Sequence, residues 1–278
     1  MSKIRHQTIG ALLALAALTV VTSKASAVDI GFTEVPLDAR NSTVRYVESN
    51  VGNLVADALV WQATSSGLNP TIGVINGGAI RTNSLLYPSA TPATPEVITD
   101  SDIFSLLPFG NNVGVIEDVT IPDLLLALEN SVSQAAPGDA SSISGRFLQV
   151  SAGFFFSWEP LAPAGSRIID VLLDGTLLID DGAVVSSLLM DIATVNFLAE
   201  GGDQYSMFPA YTFLDSGVLY RDALTNFLQS LDGNRITAAD YPEGGEGRIV
   251  RVPEPATFIL MALGLAGIGY RRKQHKAA

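Results

Sequence analysis

The sequence contains no cysteine and only two histidines among 278 residues. Without a thiol there is no disulfide, no thiolate nucleophile and no cysteine zinc site. Both histidines, His6 and His275, lie in the terminal segments. The middle of the chain therefore has no imidazole, which excludes a Ser-His-Asp triad, a Cys-His pair and a histidine-rich dimetal centre. Charge is sparse as well, at 16% of residues against 47% hydrophobic. A chain of that make-up buries a core and is not disordered. Its length suits one large domain or two small ones.

Part of the apolar content sits at the two ends, which read as addresses. Lys3 and Arg5 precede an apolar run from Ile9 to Val21, and Ala25-Ser26-Ala27 follows as a small-x-small cleavage site. This is the pattern of a secretory signal peptide over residues 1–27, too short for a comfortable membrane helix. At the other end come Val252-Pro253-Glu254-Pro255, an apolar stretch from Ala256 to Tyr270, and the basic cluster Arg271-Arg272-Lys273. A short apolar segment followed by positive charge is held with its tail in the cytoplasm. The three parts in this order resemble the PEP-CTERM sorting signal over residues 253–278. The resemblance implies a Gram-negative cell and transient residence at the inner membrane. It also implies processing by an exosortase and delivery to the cell surface or the extracellular matrix. A plain membrane anchor is the alternative.

Residues 28–252 remain as one domain. Of the 16 basic residues, seven leave with the ends, and the nine that stay are all arginine. Of the 28 acidic residues only Glu254 leaves, so the domain carries 27 acids against nine arginines, a net charge near −18. Such a field repels nucleic acid and anionic membranes, and no nucleic-acid partner is expected. An arginine held within it near apolar or glycine-rich sequence is a candidate anion ligand.

Apolar spacing predicts helices over Ser49–Ser65 and Val218–Leu231. A short helix capped by Asp100 or Ser101 runs toward Leu107, and another opens at Thr120-Ile121-Pro122-Asp123. Strands are expected at Ile72–Ile75, Val113–Val119, Ile192–Val195 and Arg248–Val252. Phe147–Trp158 reads as strand and hairpin, and Asp174-Gly175 as a hairpin turn between Arg167–Leu173 and Thr176–Ile179. Helices and strands mix without strict alternation. The expected class is α/β (α+β), a single domain around one mixed sheet with flanking helices.

Five segments could carry chemistry. They are Val44-Arg45-Tyr46 with Glu48-Ser49-Asn50-Val51-Gly52-Asn53, then Asn76-Gly77-Gly78-Ala79-Ile80-Arg81, then Leu107-Pro108-Phe109-Gly110-Asn111, then Gly145 to Ser151, and last Asn196 to Asp203. Paired glycines after a strand let backbone approach a ligand. An arginine closing such a loop offers a forked donor to phosphate or carboxylate. Phe109 and Phe197 on loops could sandwich a planar base, at roughly 1–3 kcal/mol per stacking contact. Asp203 could accept hydrogen bonds from two hydroxyls. Taken singly, each segment also reads as an ordinary connector, core plug or surface ion pair.

Together and in this order the five segments resemble the C-terminal, substrate-binding domain of the 5'-nucleotidases, from about Thr33 to Arg251. The resemblance implies that Phe109 and Phe197 stack on a base, Asn76 bonds its edge and Asp203 holds the ribose hydroxyls. It also implies that Arg45 and Arg81 reach ribose and phosphate. Some members carry a second arginine shortly before the one matching Arg45; here Asn41 stands at about that place, with Arg40 beside it. Ala79 replaces the third glycine of the N-G-G-G-I-R pattern, and Gln204 the glycine often found after G-G-D. The family's hydrolysis takes place on a separate metallophosphatase domain with two divalent metals, which this sequence does not supply. No cofactor and no catalytic residue are expected in this chain. The expectation is a nucleotide- or nucleoside-binding module rather than a hydrolase, able to complete an enzyme by docking a separate metallophosphatase chain. Three alternatives are a hydrolase of the family whose activity an unseen partner supplies, a surface or matrix protein that keeps only the fold, and a carboxylate-only enzyme such as a glycosidase, although no carboxylate pairing is visible. Asp180-Asp181-Gly182 and Glu243-Gly244-Gly245-Glu246 lack the ligand alternation of a calcium loop and read as exposed turns.

Overall fold

The computed structural model describes residues 27–135 and 144–252. The expected signal peptide, apart from Ala27, and the expected sorting segment lie outside the described residues. No helix among the described residues is long and apolar enough to cross a membrane.

In chain order the strands are β1 (Asp29–Thr33), β2 (Leu37–Asp38), β3 (Ile72–Asn76), β4 (Leu85–Leu86), β5 (Glu96–Thr99), β6 (Asn112–Thr120), β7 (Leu148–Val150) and β8 (Phe154–Trp158). They continue as β9 (Ile168–Leu173), β10 (Thr176–Asp180), β11 (Ala183–Val184), β12 (Leu189–Val195), β13 (Phe213–Leu219), β14 (Arg235–Ile236) and β15 (Ile249–Arg251). The helices are α1 (Asn41–Val44), α2 (Asn50–Ser65), α3 (Asp100–Leu106), α4 (Ile121–Val132), α5 (Asn196–Ala199) and α6 (Tyr220–Ser230). The mixed α/β class holds, but the strands form several sheets rather than one. The central sheet has the order β13-β6-β12-β3-β7, and a second has the order β11-β10-β9-β8-β15. Smaller sheets order β14-β1-β5 and pair β2 with β4.

β3 is apolar up to Asn76 and buried at every residue, as a strand covered on both faces must be. It runs parallel to β12 and antiparallel to β7. Helix α2 lies against it and is buried around most of its circumference. The contact is close because Gly73 has no side chain; a Cβ there would sit 2.5 Å from the Ala56 carbonyl oxygen.

Several sequence expectations are corrected. Phe147–Trp158 is not a hairpin, because β7 joins the central sheet and β8 the second one. The switch occurs at Ser151, whose N–H donates to the Gly73 carbonyl at 2.9 Å and whose Oγ accepts from the Gly73 N–H at 2.8 Å. Gly153, at φ +81°, then turns the chain away. The helix expected from Val218 starts at Tyr220, since Val218 and Leu219 end β13. The cap of α3 is Thr99, which exchanges bonds with Asp102 in a reciprocal capping box. Thr120 caps α4, with Pro122 in its first turn. The hairpin at Asp174-Gly175 is present between β9 and β10, with both residues at positive φ as a type I′ turn needs.

Candidate functional site

The carboxyl end of β3 is drawn against the loop before β7. The Gly77 N–H donates to the Phe147 carbonyl and the Gly78 N–H to the Gly145 carbonyl, each at 2.7 Å. Gly78 and Gly145 meet face to face, and a Cβ on either would lie 2.9 Å from the other's Cα. Gly77 packs so tightly on the Val44 carbonyl that no side chain fits. These contacts bring Asn76, Arg81 and the end of α1 to one place.

Arg45 follows α1 directly, and its segment is anchored from below. Gln149 on β7 is fully buried. Its Nε2 donates to the carbonyls of Val44 (3.0 Å) and Val47 (2.7 Å), and its Oε1 accepts from the Ser49 N–H (3.0 Å). Gly52 leaves room for the Gln149 side chain. Glu48, also buried, accepts from Asn53 Nδ2 and from the backbone N–H groups of Glu246 and Ile249. Most of the Glu48-Ser49-Asn50-Val51-Gly52-Asn53 motif is thus scaffold.

Two loops carry the aromatic rings. Helix α6 holds the Phe109 loop at both backbone groups: the Phe109 N–H donates to Tyr220 Oη (3.2 Å), and Arg221 Nη1 donates to the Phe109 carbonyl (3.2 Å). Burial pushes the Tyr220 hydroxyl up to about 12, so it stays neutral and also donates to the Ala79 carbonyl. The Arg81 guanidinium lies 5.3 Å from the centre of the Phe109 ring. Phe197 sits on α5, and its ring crosses Gly202, where a Cβ would be 2.5 Å from ring carbons. Phe109 and Phe197 remain 41% and 38% exposed, unusual for phenylalanines on a domain with a large core.

Asp203 and Gln204 both adopt left-handed backbone, at φ 51° and 67°. Gln204 thus occupies a conformation that glycine adopts without cost, which accounts for the glycine often found there. Ala79 has no positive φ, so the missing third glycine strains nothing.

Arg45, Asn76, Arg81, Phe109, Phe197 and Asp203 all line one cleft of about 320 Å³, with Gly78, Ala79, Asn111 and Gly145. That volume lies in the range of small-molecule sites. Asn76 Nδ2 donates to Asp203 Oδ2 at 2.6 Å, which fixes the amide and leaves its oxygen facing elsewhere. Of the six buried side-chain polar atoms without a partner among the described residues, two are Asn76 Oδ1 and Arg45 Nε. Such atoms are costly unless a ligand satisfies them. Arg45 is held below its usual pKa, first by burial and then by the like charge of Arg81, while the Asp203 carboxylate acts in the opposite sense. Two guanidiniums crowded into a half-dry cleft favour an anion, and two open aromatic faces favour a planar ring.

Other residues fall outside the cleft. Arg40 pairs with Asp38 at 2.6 Å and is not among the lining residues. Glu246 pairs with Arg248 rather than forming a cation loop, and Asp181 and Gly182 make the exposed turn between β10 and β11. The two divalent metals implied by the resemblance do not fit this domain. Residues 28–252 contain no histidine, and no group of three or more histidine, cysteine or acidic residues is placed to hold a metal among the described residues. Gln149 lies within the Gly145–Ser151 segment, but the sequence alone assigns it no role. Nor does the sequence point to Asn130, because a polar residue on a helix face carries no motif.

Comparisons with known proteins agree with this fold. The family model described as 5'-nucleotidase, C-terminal domain, matches residues 29–210, and the PEP-CTERM protein-sorting motif matches residues 251–273. The trifunctional nucleotide phosphoesterase protein YfkN of Bacillus subtilis (strain 168) is 30% identical over 224 residues, covering 80% of this chain and 14% of that protein. A 5'-nucleotidase of Diplobatis ommata is 28% identical over 245 residues, covering 84% of this chain and 38% of that protein. The chain thus spans well under half the length of these relatives. Among solved structures, the 5'-nucleotidase precursor from Thermus thermophilus superposes with a TM-score of 0.65 at 30% identity, over 82% of this chain and 40% of that one. The NAD nucleotidase of Haemophilus influenzae shares the fold, with a TM-score of 0.59 at 16% identity.

Proposed function

The chain belongs to the 5'-nucleotidase C-terminal domain family, and from that premise we propose that it is an exported module that binds a nucleoside or nucleotide in the cleft at the end of β3. Phe109 and Phe197 take the base between them, and Asn76 meets the base edge. Asp203 accepts from the ribose hydroxyls, and Arg45 and Arg81 attract the phosphate. The observation that carries this reading is the convergence of two open phenylalanine rings, a crowded arginine pair and two unpaired buried polar atoms on one cleft.

The domain positions a substrate, but residues 28–252 contain no imidazole base, and among the described residues no group of three or more histidine, cysteine or acidic side chains is placed to hold a metal. Phosphoester hydrolysis, where it occurs, is therefore assigned to groups outside residues 28–252, such as a separate metallophosphatase chain, and the domain itself needs no cofactor. The sorting motif at residues 251–273 supports export and exosortase processing toward the cell surface.

The test is calorimetric titration of the full-length protein with adenosine and AMP, repeated with Phe197→Ala. Expected are binding of both ligands, tighter for AMP, and binding of both weakened in the variant by about 1–3 kcal/mol. The same samples with Mn²⁺ should release no phosphate from AMP. Release by the purified protein would overturn the assignment of chemistry elsewhere. Failure to bind any nucleoside or nucleotide would leave a surface or matrix protein that keeps only the fold.

A further inference from the structure

Asp203 reaches the cleft from a strained turn, and that strain has an identifiable restraint. Two successive non-glycine residues, Asp203 and Gln204, hold left-handed backbone. Such conformations persist only where the surroundings over-determine them. Asn130, in the last turns of α4, supplies the restraint. Its Nδ2 donates to the Asp203 backbone carbonyl at 3.1 Å, and its Oδ1 accepts from Arg146 Nη1 at 3.3 Å. Arg146 is itself buried; its Nη1 also reaches Ser133 Oγ at 3.2 Å, and its Nε reaches Ser144 Oγ at 3.0 Å. The far side of the turn is closed by Tyr205, fully buried, whose hydroxyl donates to the Arg146 carbonyl at 2.5 Å. Asn130, Arg146 and Tyr205 thus form a closed clamp around the Asp203 turn. None of the three is among the residues lining the cleft.

We infer that Asn130 is a positioning residue that sets selectivity for the ribose diol by fixing Asp203. This deepens the proposed function and rests on its assignment of Asp203 to the hydroxyls. One Asp203 oxygen is already taken by Asn76 Nδ2. The carboxylate therefore has little freedom to compensate for a shift of its backbone. A released turn lets Asp203 relax toward ordinary φ and carries the carboxylate away from the sugar, while the aromatic plates and arginines stay in place. The clamp thus governs chiefly the part of the affinity that depends on the hydroxyls, with a smaller effect on the base edge through the Asn76 amide that Asp203 holds.

The experiment measures Kd for adenosine and for 2',3'-dideoxyadenosine by calorimetry on the full-length protein and on Asn130→Ala. Hydrogen bonds to a charged group are worth about tenfold or more each in affinity. The wild type should therefore prefer adenosine by at least that factor. In Asn130→Ala the preference should collapse toward unity, mostly through weaker adenosine binding, with the dideoxynucleoside Kd changed far less. A merely structural residue would weaken both ligands alike, and a preserved ratio in a folded variant would overturn the inference. Asn130→Asp supplies the second arm: it keeps shape and the acceptor for Arg146 but presents an oxygen to the Asp203 carbonyl, and it should also lose the preference. A preference retained in Asn130→Asp would likewise overturn the inference. Wild type that binds neither nucleoside would sink the functional reading itself, a result distinct from binding with an intact preference in the variants.

Discussion

Gln149 and Asn76 are both buried amides, on the neighbouring strands β7 and β3, one register position apart. Their surroundings treat them in opposite ways. Gln149 spends both N–H groups and its oxygen on the Val44–Ser49 backbone. Asn76 spends its nitrogen on Asp203 and leaves its oxygen unpaired. The same contrast divides the region around each. Below the cleft, Glu48 and the Arg248–Asp57 pair (2.9 Å) lock α2 to the chain around β15. At the cleft, Arg45 is crowded by Arg81, two phenylalanines stand open, and two residues hold left-handed backbone. Hydrogen bonding is closer to complete in the first region, where Asn53 Oδ1 is the exception, while open aromatic faces and a crowded guanidinium pair mark the second. Proteins commonly give up stability at ligand sites in this way.

The contrast breaks most visibly at Gln149. Replacing it with Leu strands two carbonyls and one N–H, and at about 1–3 kcal/mol per buried unpaired group the loss is about 3–9 kcal/mol. Chemical denaturation should show this as a large drop in midpoint. An unchanged midpoint would mean that the Val44–Ser49 segment does not depend on the amide.

The cleft should respond in the opposite sense. Arg45→Met removes a partly desolvated cation from beside another, so stability should hold or rise slightly. AMP affinity should fall by about 1.5–3 kcal/mol, the range for hydrogen bonds to charged groups, while adenosine binding is nearly unaffected. Titration of both ligands reads the difference, and equal losses for the two would remove Arg45 from the phosphate. Phe197→Ala should cost about 1–3 kcal/mol of base stacking for either ligand. Its denaturation midpoint should barely move, because the ring is partly exposed. A midpoint shift as large as that of Gln149→Leu would turn Phe197 from a plate into a core plug.

The smallest effect sharpens the contrast within the cleft. Gln204→Gly should raise stability by up to about 1 kcal/mol, since glycine takes φ 67° without the steric cost and loses part of that gain to its freer unfolded chain. A destabilised variant would mean that the Gln204 side chain holds the turn by contacts of its own.

Much of the cleft was legible because its residues sit in short motifs with glycine and aromatic signatures. All six candidate residues meet there. The supporting layer was less legible. Asn130 and Tyr205 act through backbone carbonyls distant in sequence, which no local pattern encodes. The major helices α2 and α4 could be read from period and cap. Strand β13 could not, because a bulge between Asp215 and Val218, with Gly217 at φ +73°, breaks its alternation. The two strands on either side of Ser151 looked like one hairpin because only three residues separate them. Their assignment to different sheets is fixed by Ser151 bonding to Gly73, a contact between residues 78 apart.

The fastening of β15 has a mechanical consequence. The strand lies parallel to β8 at the edge of its sheet, the Val252 N–H holds the Trp158 carbonyl, and Arg251 reaches the Tyr46 hydroxyl at 2.8 Å. Tension applied at Val252 along the strand loads these bonds in shear, together rather than one after another. It is passed to Tyr46, the residue next to Arg45. A domain pulled by this end would resist the load and would feel it first beside the cleft.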